Sequence, residues 1–392
     1  MRVLMAHNYY QQAGGEDAVV AEELALLERN NIEVELYQQH NDRIEDMAPL
    51  QVAMDTLWSR RTMKEVSALI KRFKPDVIHT HNTFPLISPS IYFAAAHHNV
   101  PLVQTLHNFR LFCIQAMFLR DGHICEDCIG SLPWRGVLHG CYRESKTQSA
   151  VVVGMLGLHR ALGTYQHKVT RYIALNQFCS DKFVEAGLPR ERMTIKPNFI
   201  DLATIDLPSL TSEATRSGAL FVGRLSTEKG IATLAEAAIS YPLAQIDVIG
   251  SGPQQAILEG KANIHLLGWQ APPAIYAHMR RASYLVMPSI WYENFPRTLV
   301  EAFACGLPVI ASRLGAMAEL VRDGETGLLF DPGNAEDLAR KLQWADDNTE
   351  SMLRMGQNAR REYEQRYTSQ SNFNQLIAIY RDAIHALSLI HI

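Results

Sequence analysis

Glu293 and Glu301 are two carboxylates set eight residues apart in the stretch Glu293-Asn294-Phe295-Pro296-Arg297-Thr298-Leu299-Val300-Glu301. An apolar run, Tyr284 to Met287, reads as a strand just before it, and the stretch enters a helix at about Pro296. Proline at a first helical position leaves the other free N–H groups of that turn aimed beyond the helix, where a phosphate is one candidate occupant. The first carboxylate precedes the helix and the second lies more than a turn inside it, so both can line one pocket at different depths. Paired acceptors at this spacing suit the hydroxyls of a sugar and of a ribose. Two glutamates alone carry little weight; the strand before them and the run Ala302 to Ile310 after them make the element specific.

A second constellation is Gly223-Arg224-Leu225-Ser226-Thr227-Glu228-Lys229-Gly230, where two cations flank a tight turn that follows another apolar run. The planar fork of Arg224 and the point charge of Lys229 can together neutralise a departing diphosphate. The alternative is a pair of cations that merely solvate a loop. Near the start, Gly14-Gly15 lies between a strand and a helix that begins near Asp17, a position where backbone N–H groups favour an anion. A glycine pair there is equally compatible with an ordinary turn, since a full Gly-x-Gly-x-x-Gly is absent.

These residues need a scaffold of strands whose carboxyl ends face a ligand. Short apolar runs alternate with segments of helical period, which is the pattern of parallel sheets wrapped by helices. In the first half the expected strands are Arg2 to Ala6, Glu33 to Tyr37, Asp76 to Thr80, Leu102 to Leu106, Arg171 to Leu175 and Met193 to Ile195, with a helix over Asp17 to Asn30. A second series starts at Ala219 and continues through Ile246 to Ile249, Ile264 to Leu267, Tyr284 to Met287, Pro308 to Ala311 and Leu328 to Phe330. Between the two, Leu202 to Ser217 has the composition of a linker. The fold class is therefore α/β, two doubly wound units in tandem, and ligands of such sheets bind outside the carboxyl ends of the strands.

With those motifs in place, the chain resembles the family 4 glycosyltransferases, retaining enzymes of the GT-B fold. The resemblance covers nearly the whole length and is most specific over Ala219 to Gly230 and Met287 to Phe330. It implies two Rossmann-like domains facing each other across a cleft: 1–203 on the acceptor side, with a helix at about 369–386 packing back on it, and 218–368 binding a nucleotide sugar. It also implies roles: Glu293 near the transferred sugar, Glu301 on the ribose hydroxyls, Arg224 and Lys229 on the diphosphate, Gly14 and Gly15 close to the donor phosphates. His107 matches a histidine facing the donor sugar. The expected catalytic group is thus His107, Glu293, Arg224 and Lys229, and donor binding adds Gly14, Gly15, Phe295, Arg297, Thr298, Leu299 and Glu301. Pro296 stands where the family has glycine and removes one N–H, leaving those of Arg297, Thr298 and Leu299. The implied reaction transfers a hexosyl group from a UDP or GDP sugar to a hydroxyl of a glycan or lipid-linked acceptor in polysaccharide or cell-envelope synthesis. The acceptor attacks on the face that the nucleotide leaves, through an oxocarbenium-like transition state. No catalytic metal is expected, since no Asp-x-Asp follows a strand.

Other residues speak to accessory roles. Cys113, Cys125, Cys128 and Cys141 fall in one insertion-like stretch, and four thiolates fit a tetrahedral structural zinc, with a buried thiol cluster as the alternative. His79 and His81 share one face of a strand; without a carboxylate or cysteine near them in sequence they are expected to be structural or to line the cleft. Residues 101–200 hold twelve Lys or Arg against seven Asp or Glu although the whole chain carries −4. Arg110, Arg120, Arg135, Arg143 and Arg160, interleaved with Phe112, Phe118, Trp134 and the apolar run Ala150 to Leu158, are placed to meet anionic lipid headgroups or a lipid-linked acceptor. A solvated loop face is the alternative.

At 392 residues with 47% hydrophobic and 20% charged residues, the chain has room for two cores. Its start lacks the pattern of a secretory signal, so a cytoplasmic protein is expected, and the basic and aromatic stretch above adds the expectation of peripheral contact with the inner face of the membrane. The last residues, Leu387 to Ile392, read as the translated end of a sequencing adapter and are set aside. Three rivals are weaker. A nucleotide-sugar epimerase or hydrolase on this fold leaves the paired glutamates and the cation clamp without a transfer role. A zinc-containing nucleic-acid-binding protein conflicts with the acidic total. A nicotinamide oxidoreductase lacks the glycine fingerprint and its ribose carboxylate.

Overall fold

The computed structural model describes residues 1–11, 14–202 and 216–388. Most of the expected linker, and Leu389 to Ile392 of the terminal stretch, lie outside the described residues. The chain forms two compact units, one of Met1–Phe118, Cys125–Pro197 and Asn372–Ile392, the other of Leu119–Ile124 and Asn198–Ser371.

In the first unit the strands are β1 (Arg2–Tyr9), β2 (Glu33–His40), β3 (Val77–Thr80), β4 (Leu102–Thr105), β7 (Arg171–Ala174) and β8 (Met193–Ile195); β5 (Leu119–Arg120) and β6 (His123–Ile124) form a separate antiparallel pair that is grouped with the second unit. The six-stranded sheet runs β2-β1-β3-β4-β7-β8 and every pairing in it is parallel. Val3, Leu4, Met5 and Ala6 are fully buried, as a strand covered on both faces requires. The helix Ser369–Ser388 contributes Leu376, Ile377, Ile379, Tyr380 and Ala383 to a core that includes Val3, Met5, Val77, Val103 and Ile173. The Leu, Ile, Val and Met side chains among these each contribute roughly 1.5–3 kcal/mol by leaving water.

The second unit holds β9 (Ala219–Val222), β10 (Ile246–Ile249), β11 (Ile264–Gly268), β12 (Tyr284–Met287), β13 (Val309–Ser312) and β14 (Gly327–Phe330) in the order β11-β10-β9-β12-β13-β14, again parallel throughout. Alternate residues feed two cores: Leu285 and Met287 face one side with Val309 and Ala311, while Tyr284 and Val286 face the other with Ile310. The doubly wound α/β expectation is met in both units. The strand order reverses between β9 and β12 in the second unit and between β1 and β3 in the first, and a crevice opens at such a switch point.

Candidate functional site

In the second unit the two motifs flank the switch point, one following β9 and the other following β12. The chain after β9 turns through a short 3-10 segment, Thr227–Lys229, and enters the helix Ile231–Ser240. Gly230 makes this turn with φ +71°, and a Cβ there would lie 1.8 Å from the Pro288 carbonyl oxygen, so only glycine lets the two loops touch. The Ile290 N–H donates to the Glu228 carbonyl at 2.9 Å, tying the loop after β12 to the loop after β9. Across this junction Lys229 Nζ donates to Glu293 Oε1 at 2.6 Å, and Ser289 Oγ donates to the same oxygen at 2.8 Å. The Lys229 ammonium also lies 5.5 Å from the centroid of the Trp291 ring. Glu293 is 5% exposed, so its carboxylate needs these donors. Arg224 is exposed, and its side chain has no hydrogen bond or ion pair among the described residues; its carbonyl accepts the Ser226 N–H at 3.0 Å.

The helix after β12 spans Arg297–Ala304, with Pro296 as its N-cap, one residue earlier in role than expected. Arg297 Nε donates to Glu301 Oε1 at 3.0 Å, one turn further along. Thr298 is half-buried. Leu299 departs from expectation: its side chain is fully buried and its N–H donates to the Pro296 carbonyl at 3.0 Å, so neither is left for a ligand. A tight first turn folds that N–H back on the chain, so the Leu299 donor expected for a phosphate is taken. Phe295 also points away from ligand duty, packing against the core with its ring 6.2 Å from that of Tyr367.

In the first unit, Gly14 caps the helix Gly15–Arg29, and its N–H donates to Asp17 Oδ2 at 3.0 Å. That donor, expected for a phosphate, is therefore taken; the N–H groups of the following first turn have no acceptor within the helix. Asp17 Oδ1 accepts from His7 Nε2 at 2.8 Å, while His7 Nδ1 accepts the Asn82 N–H at 3.4 Å. His107 follows β4 and is held by His81, Nδ1 to Nε2 at 2.9 Å. His81, His107, Asn108, Arg110 and Gln104 line one polar pocket of this unit.

His79 and His81 have the carboxylate partner that their sequence neighbourhood lacks. Glu23, from the helix after β1, lies 3.3 Å from His81 Nε2 and 4.0 Å from His79 Nδ1. These three are a group whose ligand atoms lie within 4.8 Å of one another. His79 already bonds Tyr380 and Thr105 at 2.7 and 2.8 Å, and the Lys196 ammonium sits on Glu23 at 2.8 Å, supplying the positive charge itself. A polar network therefore accounts for the trio better than a cation. Burial lowers the His79 pKa to about 4, and it holds those of His81 and His107 well below the ordinary imidazole value, with their positive and imidazole neighbours adding to the effect.

Sequence reasoning missed Glu16. Its carboxylate accepts from Tyr10 Oη at 3.0 Å and from Asn108 Nδ2 at 3.4 Å, beside the His107 pocket. Burial raises its pKa to about 7, against the pull of Tyr10, Asn108 and Arg110. The signal was a carboxylate directly after Gly14-Gly15, and Glu23 left no local signal at all.

The four cysteines converge only loosely. Burial raises the Cys128 pKa to about 11, and Cys113, Cys125 and Cys141 lie near enough to add to the rise. The Phe118 N–H donates to Cys113 Sγ at 3.4 Å. Among the described residues, however, they do not form a group with ligand atoms within 4.8 Å of one another. The basic and aromatic set also divides. Phe112 and Phe118 are buried rather than presented outward. Arg110 stacks between Phe84 and Tyr142 and donates to the Ile114 carbonyl; Arg160 covers Phe112 and donates to the Ser131 and Leu111 carbonyls. Those two arginines brace the fold, while Trp134, Arg135 and Arg143 are exposed.

Comparison with known proteins adds the following. Residues 13–204 match the family described as Glycosyltransferase Family 4, and residues 206–362 match Glycosyl transferases group 1. An uncharacterised glycosyltransferase of Methanocaldococcus jannaschii is 33% identical over 157 residues, 38% of this chain and 44% of that protein. A 2-deoxystreptamine N-acetyl-D-glucosaminyltransferase of Niallia circulans is 25% identical over 77% of this chain and 75% of its own length. Among solved structures, Anabaena HepE in complex with UDP superposes with a TM-score of 0.64 at 21% identity, over 96% of this chain and 98% of that one.

Proposed function

The chain belongs to the family 4 glycosyltransferases of the GT-B fold, and we propose that it is a retaining hexosyltransferase that moves a sugar from a UDP-sugar to a hydroxyl of a glycan or lipid-linked acceptor. The observation that carries this reading is the 2.6 Å pairing of Lys229 with Glu293, which joins two motifs 64 residues apart at a switch point. The choice of uridine follows HepE, whose structure holds UDP. Arg224, whose side chain is exposed and has no partner among the described residues, and Lys229 bind the diphosphate; Thr298 adds a backbone N–H, and Glu301 takes the ribose. As the bond to the nucleotide breaks, negative charge grows on the leaving diphosphate, and cations fixed in advance stabilise that charge more than the ground state. Glu293, released from Lys229 when a diphosphate competes for the ammonium, accepts hydrogen bonds from the transferred sugar. We assign the reaction to the cytoplasmic face of a membrane, in polysaccharide assembly. The cysteine quartet, in this reading, takes a structural zinc that draws its sulfurs together.

The test is calorimetric titration with UDP and GDP, followed by transfer assays with UDP-sugars. Wild type should bind UDP and yield a product of the donor's anomeric configuration by NMR. Lys229→Met should lower kcat/KM by about 10²–10³-fold, the loss typical of one transition-state donor. Equal turnover by Lys229→Met and wild type would remove the clamp assignment.

A further inference from the structure

Lys196, Glu23, His81 and His107 stand in line inside the first unit. Lys196 Nζ donates to Glu23 Oε1 at 2.8 Å, with both side chains 1% exposed. An ammonium and a carboxylate buried this deeply persist together as an ion pair, so both Glu23 oxygens are acceptors. The second oxygen, Oε2, faces His81 Nε2 at 3.3 Å, and neither atom has another hydrogen-bonding partner. Two buried polar atoms facing one another are satisfied when one of them carries a proton. The carboxylate does not, so His81 Nε2 does.

The rest follows ring by ring. A neutral imidazole has one N–H, so His81 Nδ1 is an acceptor. His107 Nε2, 2.9 Å away, must then donate to it. That leaves His107 Nδ1 as a lone-pair site; it has no partner among the described residues, and the ring lines the polar pocket. We propose that Lys196 and Glu23, acting through His81, fix His107 as its Nε2–H tautomer, so that Nδ1 accepts a hydrogen bond from a hydroxyl of the donor sugar. This rests on the reading of His107 as the residue facing that sugar. Glu23 and His81 are positioning residues, and His107 accepts a hydrogen bond from the sugar hydroxyl at Nδ1 rather than donating one there.

Glu23→Gln inverts the relay. A carboxamide has one acceptor, which Lys196 claims, and its NH2 then faces His81 Nε2. His81 must accept there and carry its proton on Nδ1, and His107 must do the same. The experiment is 15N-histidine NMR of the full chain, with the His107 signals assigned by their loss in His107→Gln. Wild type should show His107 protonated at Nε2 and bare at Nδ1, and Glu23→Gln should show the reverse. In parallel, Glu23→Gln should lose about 10–100-fold in kcat/KM for the UDP-sugar, the scale on which removing the group that orients a metal-ligating imidazole acts, with UDP affinity retained because UDP lacks the transferred sugar. An Nδ1–H tautomer in wild-type His107 overturns the proposal with no variant needed, as does an unchanged tautomer in a folded Glu23→Gln. Failure of wild type to bind UDP would instead strike the donor reading, since the tautomer measurement requires no substrate.

Discussion

Glu16 shows how one residue couples the pocket to pH. Its folded pKa of about 7 lies above the ordinary 4.5, because burial disfavours the charge more than Tyr10 and Asn108 favour it. The native state therefore holds a proton there that the unfolded chain has released between those two values. The stabilisation is complete below about pH 4.5 and is lost as pH rises through 7. Glu16→Gln keeps the shape and removes the titration. Unfolding by urea should show the variant gaining on wild type by about 2 kcal/mol between pH 5 and pH 8. A difference that stays flat over this range would mean that Glu16 is solvated.

At the scale of elements, the second unit was the more legible. Ile246 to Ile249 and Tyr284 to Met287 have the expected bounds, because short buried parallel strands are continuous apolar runs between turns. β1 and β2 run past the expected Ala6 and Tyr37 to Tyr9 and His40, since polar His7, Asn8, Gln38 and Gln39 remain paired in register. Apolar content alone does not show that a polar strand end continues to pair. The cation clamp and paired glutamates were legible as motifs. Their meeting was not, because it depends on β9 and β12 lying side by side. Glu23 was invisible for the same reason. The Asp121-Gly122 turn, with φ +52° and +77°, joins β5 to β6 and is a hairpin signal that was there to be read.

The insertion carrying that hairpin also carries the four cysteines, and positive φ recurs through it at Ala116, Phe118, Asp121, Gly122, Gly130, Gly140, Arg143 and Glu144. The zinc proposed for the cysteine quartet would staple a segment that is poor in regular structure. Purified protein should contain about one zinc by mass spectrometry, within the tetrahedral four-thiolate stoichiometry. Cys125→Ser with Cys128→Ser should abolish that zinc and lower the melting temperature by several degrees, about 2–4 °C for each kcal/mol lost in a domain of this size. Zinc-free wild type with an unchanged melting temperature would leave a thiol cluster in its place.

For the molecule as a whole, charge and apolar surface point to one face of the first unit. The net charge of −4 opposes any general attraction to anionic surfaces, so attraction has to be local. Among the described residues no helix is long and apolar enough to cross a membrane. Leu132, Trp134, Leu138, Leu158 and Leu162 are nevertheless 38–59% exposed, around the helix Arg135–Leu138 and the helix Lys146–Ala161. Leu132 reaches the Gly157 position of the second helix, so the two segments share one surface. Arg135, exposed beside the Trp134 ring at 5.9 Å, and exposed Lys146 add the positive charge that headgroups attract. Residues with an apolar body and a cation beside them suit the interface of a bilayer, at about 1 kcal/mol for each basic group near an anionic surface. Wild type should float with vesicles containing phosphatidylglycerol and not with neutral ones, and raised salt should release it. Trp134→Ser with Leu138→Ser should lose flotation yet keep UDP affinity, because neither side chain belongs to the second unit's clamp. Equal flotation of the double variant would move the contact elsewhere, and no flotation of wild type would remove the membrane contact.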